Sequence, residues 1–389
     1  MPSAKPSCAS ASLTHALRQR FGPRPIDLDI IAYGSRRVDT PELTVPHPRL
    51  SERPFVLAPV ADLAAGTTGP AAHIAQLWQR SGGESQVGRA GLARVLALPG
   101  GIVWPVGGRT RVMAVLNVTP DSFSDDGCTG VAQAVAAGLR LVEQGADVVD
   151  VGGQSTRPGA VRVSAEEEAR RVLPVLRALR EQLPPGVLLS VDTFYGSVAA
   201  SAIAQGAHIV NDVSGGGRFD HTLLAAVADS DAAYVLMHSR GESDTMQRPE
   251  FTRYADVVKE VAVELRAAGE RCVAAGIEPW RIVLDPGIGF AKDKDSNLQL
   301  LRNLPAVRPG APGALRNAPL LVGPSRKGFL GSLAGGRPPA ERDWATAAAV
   351  AACVAGGAEL VRVHNVAAMR DVVAVADAIH RNLRDERRG

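Results

Sequence analysis

Aromatic residues are scarce: Phe, Trp and Tyr make up 4% of the 389 residues. The net charge is only +3, and no Lys/Arg block with interleaved aromatics appears, so nothing marks a nucleic-acid partner. Cysteine is scarce too. Cys8, Cys128, Cys272 and Cys353 are scattered, with no C-x-x-C and no His at ligand spacing. That excludes a disulfide framework and a zinc site and fits a reducing compartment. No apolar run reaches the length of a membrane span, which removes the membrane as a partner. The start, MPSAKPSCASASLTHALRQR, lacks acidic residues and carries Ser, Ala and Arg. A transit peptide has that composition, and so does a charged helix opening a domain; the expectation is a cytoplasmic protein.

What is abundant is apolar and small. The chain is 46% hydrophobic and 21% charged, with 40 glycines, and its length allows two domains or one large barrel with an appendage. Residues 113–127 read MAVLNVTPDSFSDDG. An apolar strand there turns at once into a loop holding Asn117, Thr119, Asp121, Ser122, Ser124, Asp125 and Asp126. A buried strand that delivers an amide and carboxylates at its C-terminal end suits a phosphate–metal site, although the same residues make an ordinary exposed turn.

In the first hundred residues, RFGPRPIDLDIIAYG sets Asp27 and Asp29 on either side of Leu28. Extended backbone points both carboxylates to one face. Two carboxylates that close call for a shared cation or proton, or else form a solvated strand face. From 64 to 108 the sequence loosens and Gly and Ser cluster twice, as in a linker, with a helix-like patch at 74–78. A domain boundary near residue 100 is expected, giving segments 1–100 and 101–389.

Beyond it, short β-branched runs alternate with Ala/Leu/Arg-rich stretches of helical spacing. Strands are expected at 111–116, 148–151, 188–191, 209–210, 233–237, 282–284, 320–322 and 360–363. Helices are expected at 130–144, 166–182, 198–205, 252–275 and 344–355. Eight β–α repeats without a G-x-G-x-x-G fingerprint match an α/β (β/α)8 TIM barrel better than a doubly wound sheet. In such barrels chemistry sits at the C-terminal strand ends. These read Asn117, GGQSTRPG (152–159), Asp192–Thr193, Asn211–Asp212, His238, DPGIGF (285–290), GPSRKG (323–328) and His364–Asn365. Arg157, Arg362 and His364, with Asn117 and Thr156, offer donors and a metal ligand for an anion as large as diphosphate. Asp192, Asn211, Asp285 and Lys327 can pair with a heterocycle edge. The competing role for any one Asp is a helix N-cap. His238 is expected to be structural, His208 to pack, and Arg170–Arg171 to be solvated.

The motifs LNVTPDSFSDDG, GADVVDVGGQSTRPGA, SVDT, IVNDVSGG, LDPGIGFAK, LVGPSRKGFLG and RVHNV, in order over 110–380, resemble dihydropteroate synthase. GPR, the D-x-D and LTVPHPRLSERPFVLAP resemble the C-terminal half of 6-hydroxymethyl-7,8-dihydropterin pyrophosphokinase, a ferredoxin-like α+β kinase. The whole is similar to kinase–synthase fusions of folate biosynthesis. The synthase resemblance implies condensation of the pterin diphosphate with p-aminobenzoate, with Asp192, Lys327 and Arg157 as catalytic residues. Pterin would lie on Asp192, Asn211, Asp285 and Lys327; diphosphate on Asn117, Thr156, Arg157, Arg362 and His364; Mg2+ on Asn117. Loops 121–127 and 153–158 would close over the site. Asp121, Phe123, Asp125, Thr156, Pro158, Ser325 and Arg326 are candidates for the aminobenzoate side, where sulfonamides compete. The kinase resemblance implies Mg2+ on Asp27 and Asp29, and nucleotide contacts from Arg24, His47 and Arg53. With no counterpart of the kinase's N-terminal half, an inactive remnant is expected. The synthase family commonly forms homodimers. It usually has Glu at Gln154, Ser at Gly328 and Asp at Asn365. A non-catalytic pterin-binding paralogue is the alternative; a pterin-dependent methyltransferase would not need S-R-K beside R-x-H.

Overall fold

The computed structural model describes residues 28–63, 70–87, 89–119, 128–155, 159–308 and 315–381. They form two compact units, one ending at Gly91 and one beginning at Leu92.

In the first unit, β1 (Val38–Asp39) pairs antiparallel with β2 (Thr44–Val45). Helices Pro54–Leu63 and Pro70–Arg80 pack together. Pro54 and Pro70 each stand at a first helical position, where the missing N–H costs nothing. Leu57, Ala61, Ile74 and Trp78 are buried apolar side chains of these helices.

The second unit opens with a hairpin, β3 (Val95–Leu98) against β4 (Ile102–Pro105). Eight parallel strands follow: β5 (Arg111–Asn117), β6 (Val148–Gly152), β7 (Leu188–Asp192), β8 (Ile209–Asp212), β9 (Ala233–Met237), β10 (Ile282–Asp285), β11 (Leu321–Val322) and β12 (Leu360–Val363). Their order is β10-β9-β8-β7-β6-β5-β12-β11, and a parallel bridge from Leu284 to Leu320 joins the ends. The fold is a (β/α)8 barrel, with the strand positions close to those the periodicity predicts.

Strand alternation sends one set of side chains to the surrounding helices and the other inward. The outward set, such as Val149, Val151, Leu189 and Val191, joins the large core under the helices. The lowest inward layer is apolar: Met113, Val148, Leu188, Ile209, Val235, Val283, Leu321 and Leu360. Leu96, Leu98 and Trp104 of the hairpin close it from below. The sequence reading places this hairpin in a linker; its apolar residues lie between Gly-rich stretches that mask them. Each buried Leu or Val removes about 1.5–3 kcal/mol of apolar exposure.

The helix expected at 252–275 is two elements, Pro249–Thr252 and Val257–Ala274. Asp256 accepts from Lys259 N at 3.1 Å and so starts the second afresh. Helices Thr222–Ala228, Lys294–Arg302, Gly328–Leu333 and Val366–His380 were not anticipated. Among the described residues no helix is long and apolar enough to cross a membrane.

Leu96→Ala should destabilise the chain by about 2–5 kcal/mol in denaturant titration, because Leu96 is buried in the apolar cluster that closes the barrel floor. A loss below about 1 kcal/mol would contradict the hairpin's role as a plug.

Candidate active site

The barrel interior changes character within one layer. Two residues above the apolar floor the inward positions are Val115, Asp150, Ser190, Asn211, Met237, Asp285, Gly323 and Arg362, and two above those stand Asn117, Asp192, Ser325 and His364. The strand period of two therefore sets these polar groups above the apolar floor. An open cavity of about 1020 Å3 occupies this mouth, lined by Asn117, Asp192, Lys327, Arg362 and His364 among others.

At its base one guanidinium bridges two buried carboxylates. Arg362 donates from Nε to Asp150 Oδ2 and from Nη2 to Asp192 Oδ2, each at 2.7 Å. Asn211 Nδ2 donates to the same Asp150 oxygen at 2.9 Å. Burial pushes the Asp192 carboxyl up; Arg362 opposes this, and Asp150, Glu168 and Asp212 reinforce it. Asp285 is pushed up to about 6 by burial, against the Gly287 N–H, which donates to its Oδ1 at 2.7 Å, and the charge of Lys327.

Glycine makes the next turn possible. A Cβ at Gly287 would meet His238 O at 2.0 Å, and φ there is +68°. A Cβ at Gly289 would strike the Lys327 stem at 2.7 Å. With no side chain in the way, Lys327 lies across the turn, its Nζ 3.9 Å from the Phe290 ring centroid. Arg326, at φ +60°, is a strained non-glycine residue. Its backbone N donates to Thr346 Oγ1 at 3.1 Å and its Nε pairs with Asp343. Ser325 Oγ accepts from His364 N at 3.2 Å and lies 2.9 Å from His364 Nδ1.

Two further clusters brace the mouth. Lys292 is buried, and its ammonium reaches Phe290 O at 2.9 Å, Gly287 O at 3.1 Å and His238 Nδ1 at 2.9 Å. Desolvation brings Lys292 down to about 7 and His238 down to about 4, the latter helped by the neighbouring lysine. His238 Nε2 lies 3.0 Å from Glu264 Oε2, so His238 is satisfied and structural. Just past the end of β6, Arg171 Nη1 donates to Gly153 O at 2.8 Å. Glu168 accepts from Gln154 Nε2 at 3.2 Å and Thr193 Oγ1 at 2.8 Å.

Asn117, Asp192, Ser325, Arg326, Lys327, Arg362 and His364 line the cavity, and Asn211 and Asp285 are buried next to that lining. Arg24, Asp27, Asp121, Phe123, Asp125, Thr156, Arg157 and Pro158 lie outside the described residues. Asp29 is ion-paired with Arg53, and its Oδ1 is 3.7 Å from His47 Nε2. Among the described residues no group of three His, Cys, Asp or Glu could hold a metal ion. Arg171, expected to be solvated, is instead largely covered. Of the three departures, Gln154 serves Glu168, and Asn365 caps helix Val366–His380 while donating to Asp343 Oδ2 at 2.8 Å. A Cβ at Gly328 would meet nothing within 4 Å. The sequence reading missed Asp150, Glu168 and Lys292. A lone acid inside the apolar run VVDVG was the available signal for the first.

Residues 113–364 match the pterin binding enzyme family, and residues 10–65 match 7,8-dihydro-6-hydroxymethylpterin-pyrophosphokinase. The mitochondrial folate synthesis bifunctional protein of Arabidopsis thaliana is 45% identical over 386 residues, covering 94% of this chain and 69% of that protein. The dihydropteroate synthase of Synechocystis is 44% identical over 276 residues, 71% of this chain and 92% of that protein. Among solved structures, Xanthomonas albilineans dihydropteroate synthase with 4-aminobenzoic acid superposes with a TM-score of 0.65 at 42% identity, covering 74% of this chain and 99% of that one. The Burkholderia cenocepacia enzyme complexed with 7,8-dihydropteroate gives 0.65 at 39% identity, covering 74% and 96%.

Glu168 provides a pH test of how the mouth is braced. Burial raises its carboxyl to about 7, against the hydrogen bonds from Thr193 and Gln154. A carboxyl raised by folding stabilises the protein while protonated. That contribution is complete below the unfolded-chain value near 4.5 and is lost as pH rises through 7. Wild type should therefore lose about 3 kcal/mol relative to Glu168→Gln between pH 4.5 and 7. Parallel stability–pH curves for the two would contradict this.

Proposed function

The chain belongs to the pterin-binding enzyme family, and we propose that it condenses 6-hydroxymethyl-7,8-dihydropterin diphosphate with p-aminobenzoate, giving 7,8-dihydropteroate and diphosphate. The observation that carries this is one cavity lined by Asp192, Asn117, Lys327, Arg362 and His364, with Asn211 and Asp285 buried next to that lining. Asp192, Asn211 and Asp285 are acceptors that match the N–H edge of a pterin, with Lys327 beside them. Arg362 and His364, joined by Asn117, Thr156 and Arg157, match a diphosphate. Ser325 and Arg326, with Asp121, Phe123, Asp125 and Pro158, are assigned to the aminobenzoate side. The neighbours crystallised with 4-aminobenzoic acid and 7,8-dihydropteroate support this choice of substrates.

In the reaction the C–O bond between the pterin methylene and diphosphate breaks, and its electron pair leaves with the phosphate oxygen. The arylamine lone pair forms the new C–N bond, and the nitrogen then loses a proton. The acceptor floor holds the pterin, whose ring electrons delocalise into its own methylene as positive charge develops there. Arg362 and Lys327, with Arg157, supply the positive charge that stabilises the departing anion. Asn117 is an oxygen donor at the mouth, and Mg2+ commonly takes one or two protein oxygens plus substrate phosphates, so the residue fits the ion. When bound, Mg2+ would add positive charge against the leaving group.

The kinase-like segment is proposed to lack turnover, since the Asp29 carboxylate is committed to Arg53. A homodimer in the cytoplasm is part of the same proposal. The outer helices expose Trp344 at 88% and Ile379 at 70%, while two plant relatives are named mitochondrial.

The test is diphosphate release by the purified chain with Mg2+. Turnover is expected with pterin diphosphate plus p-aminobenzoate, and none with unphosphorylated hydroxymethylpterin plus ATP and p-aminobenzoate. Lys327→Met should lower kcat/KM by about 100-fold or more. Binding of the pterin diphosphate without any diphosphate release would favour the non-catalytic paralogue instead.

A further inference from the structure

Asp150 has no exposed surface and sits inside an otherwise apolar strand. Its Oδ2 accepts from Arg362 Nε and from Asn211 Nδ2, residues 212 and 61 positions away. In the sheet, β6 lies two strands from β12 on one side and two strands from β8 on the other. One carboxylate therefore ties together strands that are not hydrogen-bonded neighbours. Its second oxygen, Oδ1, is buried and has no partner among the described residues. Such a group is costly to keep in a core that apolar residues would fill.

We propose that Asp150 is the positioning residue of the pterin pocket: its carboxylate holds the Asn211 amide in the orientation that receives the pterin and holds the Arg362 guanidinium against Asp192. The inference rests on the proposed synthase reaction. Because Asn211 spends its NH2 on Asp150, the amide turns its oxygen away, so an acceptor faces a ligand N–H. Because Arg362 is anchored through Nε, its Nη2 arm is delivered to Asp192. An amide at 150 cannot substitute: its oxygen could accept from both donors, but it carries no charge to pair with the Arg362 guanidinium, and its NH2 would stand in the enclosed, partnerless place of Oδ1. Asp150 also sets the charge around Asp192, which is faced by Arg362, Asp150, Glu168 and Asp212.

The experiment compares full-length wild type, Asp150→Asn and Ser190→Ala. Ser190 stands opposite Asp150 in the β6–β7 register, and its hydroxyl is likewise buried and unmatched, so it controls for disturbance of the layer. Calorimetric titration with 6-hydroxymethyl-7,8-dihydropterin diphosphate and Mg2+ should show Asp150→Asn weaker by about 10- to 100-fold, as expected for removal of a charged hydrogen-bond partner. The KM for p-aminobenzoate at saturating donor should stay within about twofold, since no contact with that side is lost. The acid limb of kcat/KM for the pterin should move to lower pH, since Asp192 loses a carboxylate neighbour. Ser190→Ala should match wild type. If Asp150→Asn does not fold, Asp150→Glu, which keeps the charge one methylene out of place, should give the same pterin-selective loss. Unimpaired pterin binding by Asp150→Asn, equal losses for both substrates, or the same loss in Ser190→Ala would overturn the proposal for Asp150 alone. A wild-type chain that binds no pterin diphosphate would overturn the proposed reaction, and the role of Asp150 with it.

Discussion

Arg362 cannot leave the barrel mouth without stranding two buried carboxylates. Desolvating a guanidinium and two acids costs several kcal/mol per ion, and the geometry must be good to offset it. Here it is: two hydrogen bonds of 2.7 Å, with the Asn211 amide adding a third contact to Asp150. The net charge of this trio stays negative in an enclosed floor. Burial pushes the Asp192 carboxyl upward, with Arg362 opposing and Asp150 reinforcing, and the acceptors of this floor suit a ligand edge rich in N–H donors. An anionic leaving group is matched by the cations higher in the mouth.

The rest of the barrel holds that trio still. The apolar layer beneath it, closed by Leu96, Leu98 and Trp104, fixes the strand ends from below. Around it, polar contacts of ordinary kinds fix the loops: Lys292 on two carbonyls and His238, Arg171 on Gly153 O, Asn365 at a helix start. Each of these sets where a side chain that contacts the cavity begins. Orientation of this kind accounts for a large part of catalysis by displacement at a fixed centre.

Much of this was legible in the sequence, for a physical reason. Parallel strands buried on both faces read as continuous β-branched runs, so each strand signalled itself and its polar C-terminal neighbour together. Lys294–Arg302 escaped because KDSNLQLLR has a weak apolar stripe and its cap, Asp293, resembles any turn acid. The hairpin escaped because its apolar residues contact strands that follow it at distances composition does not record. Asp150 is the clearest case. Within VVDVG it reads as one flaw in a strand, and its meaning depends on Arg362, 212 residues later.

A crystal structure of the chain with 7,8-dihydropteroate tests the central claim most directly. The account predicts the pterin edge within hydrogen-bond distance of Asp192, Asn211 and Asp285, with Arg362 still paired to Asp150. A heterocycle bound elsewhere, or an Arg362 released from Asp150 in the complex, would contradict it.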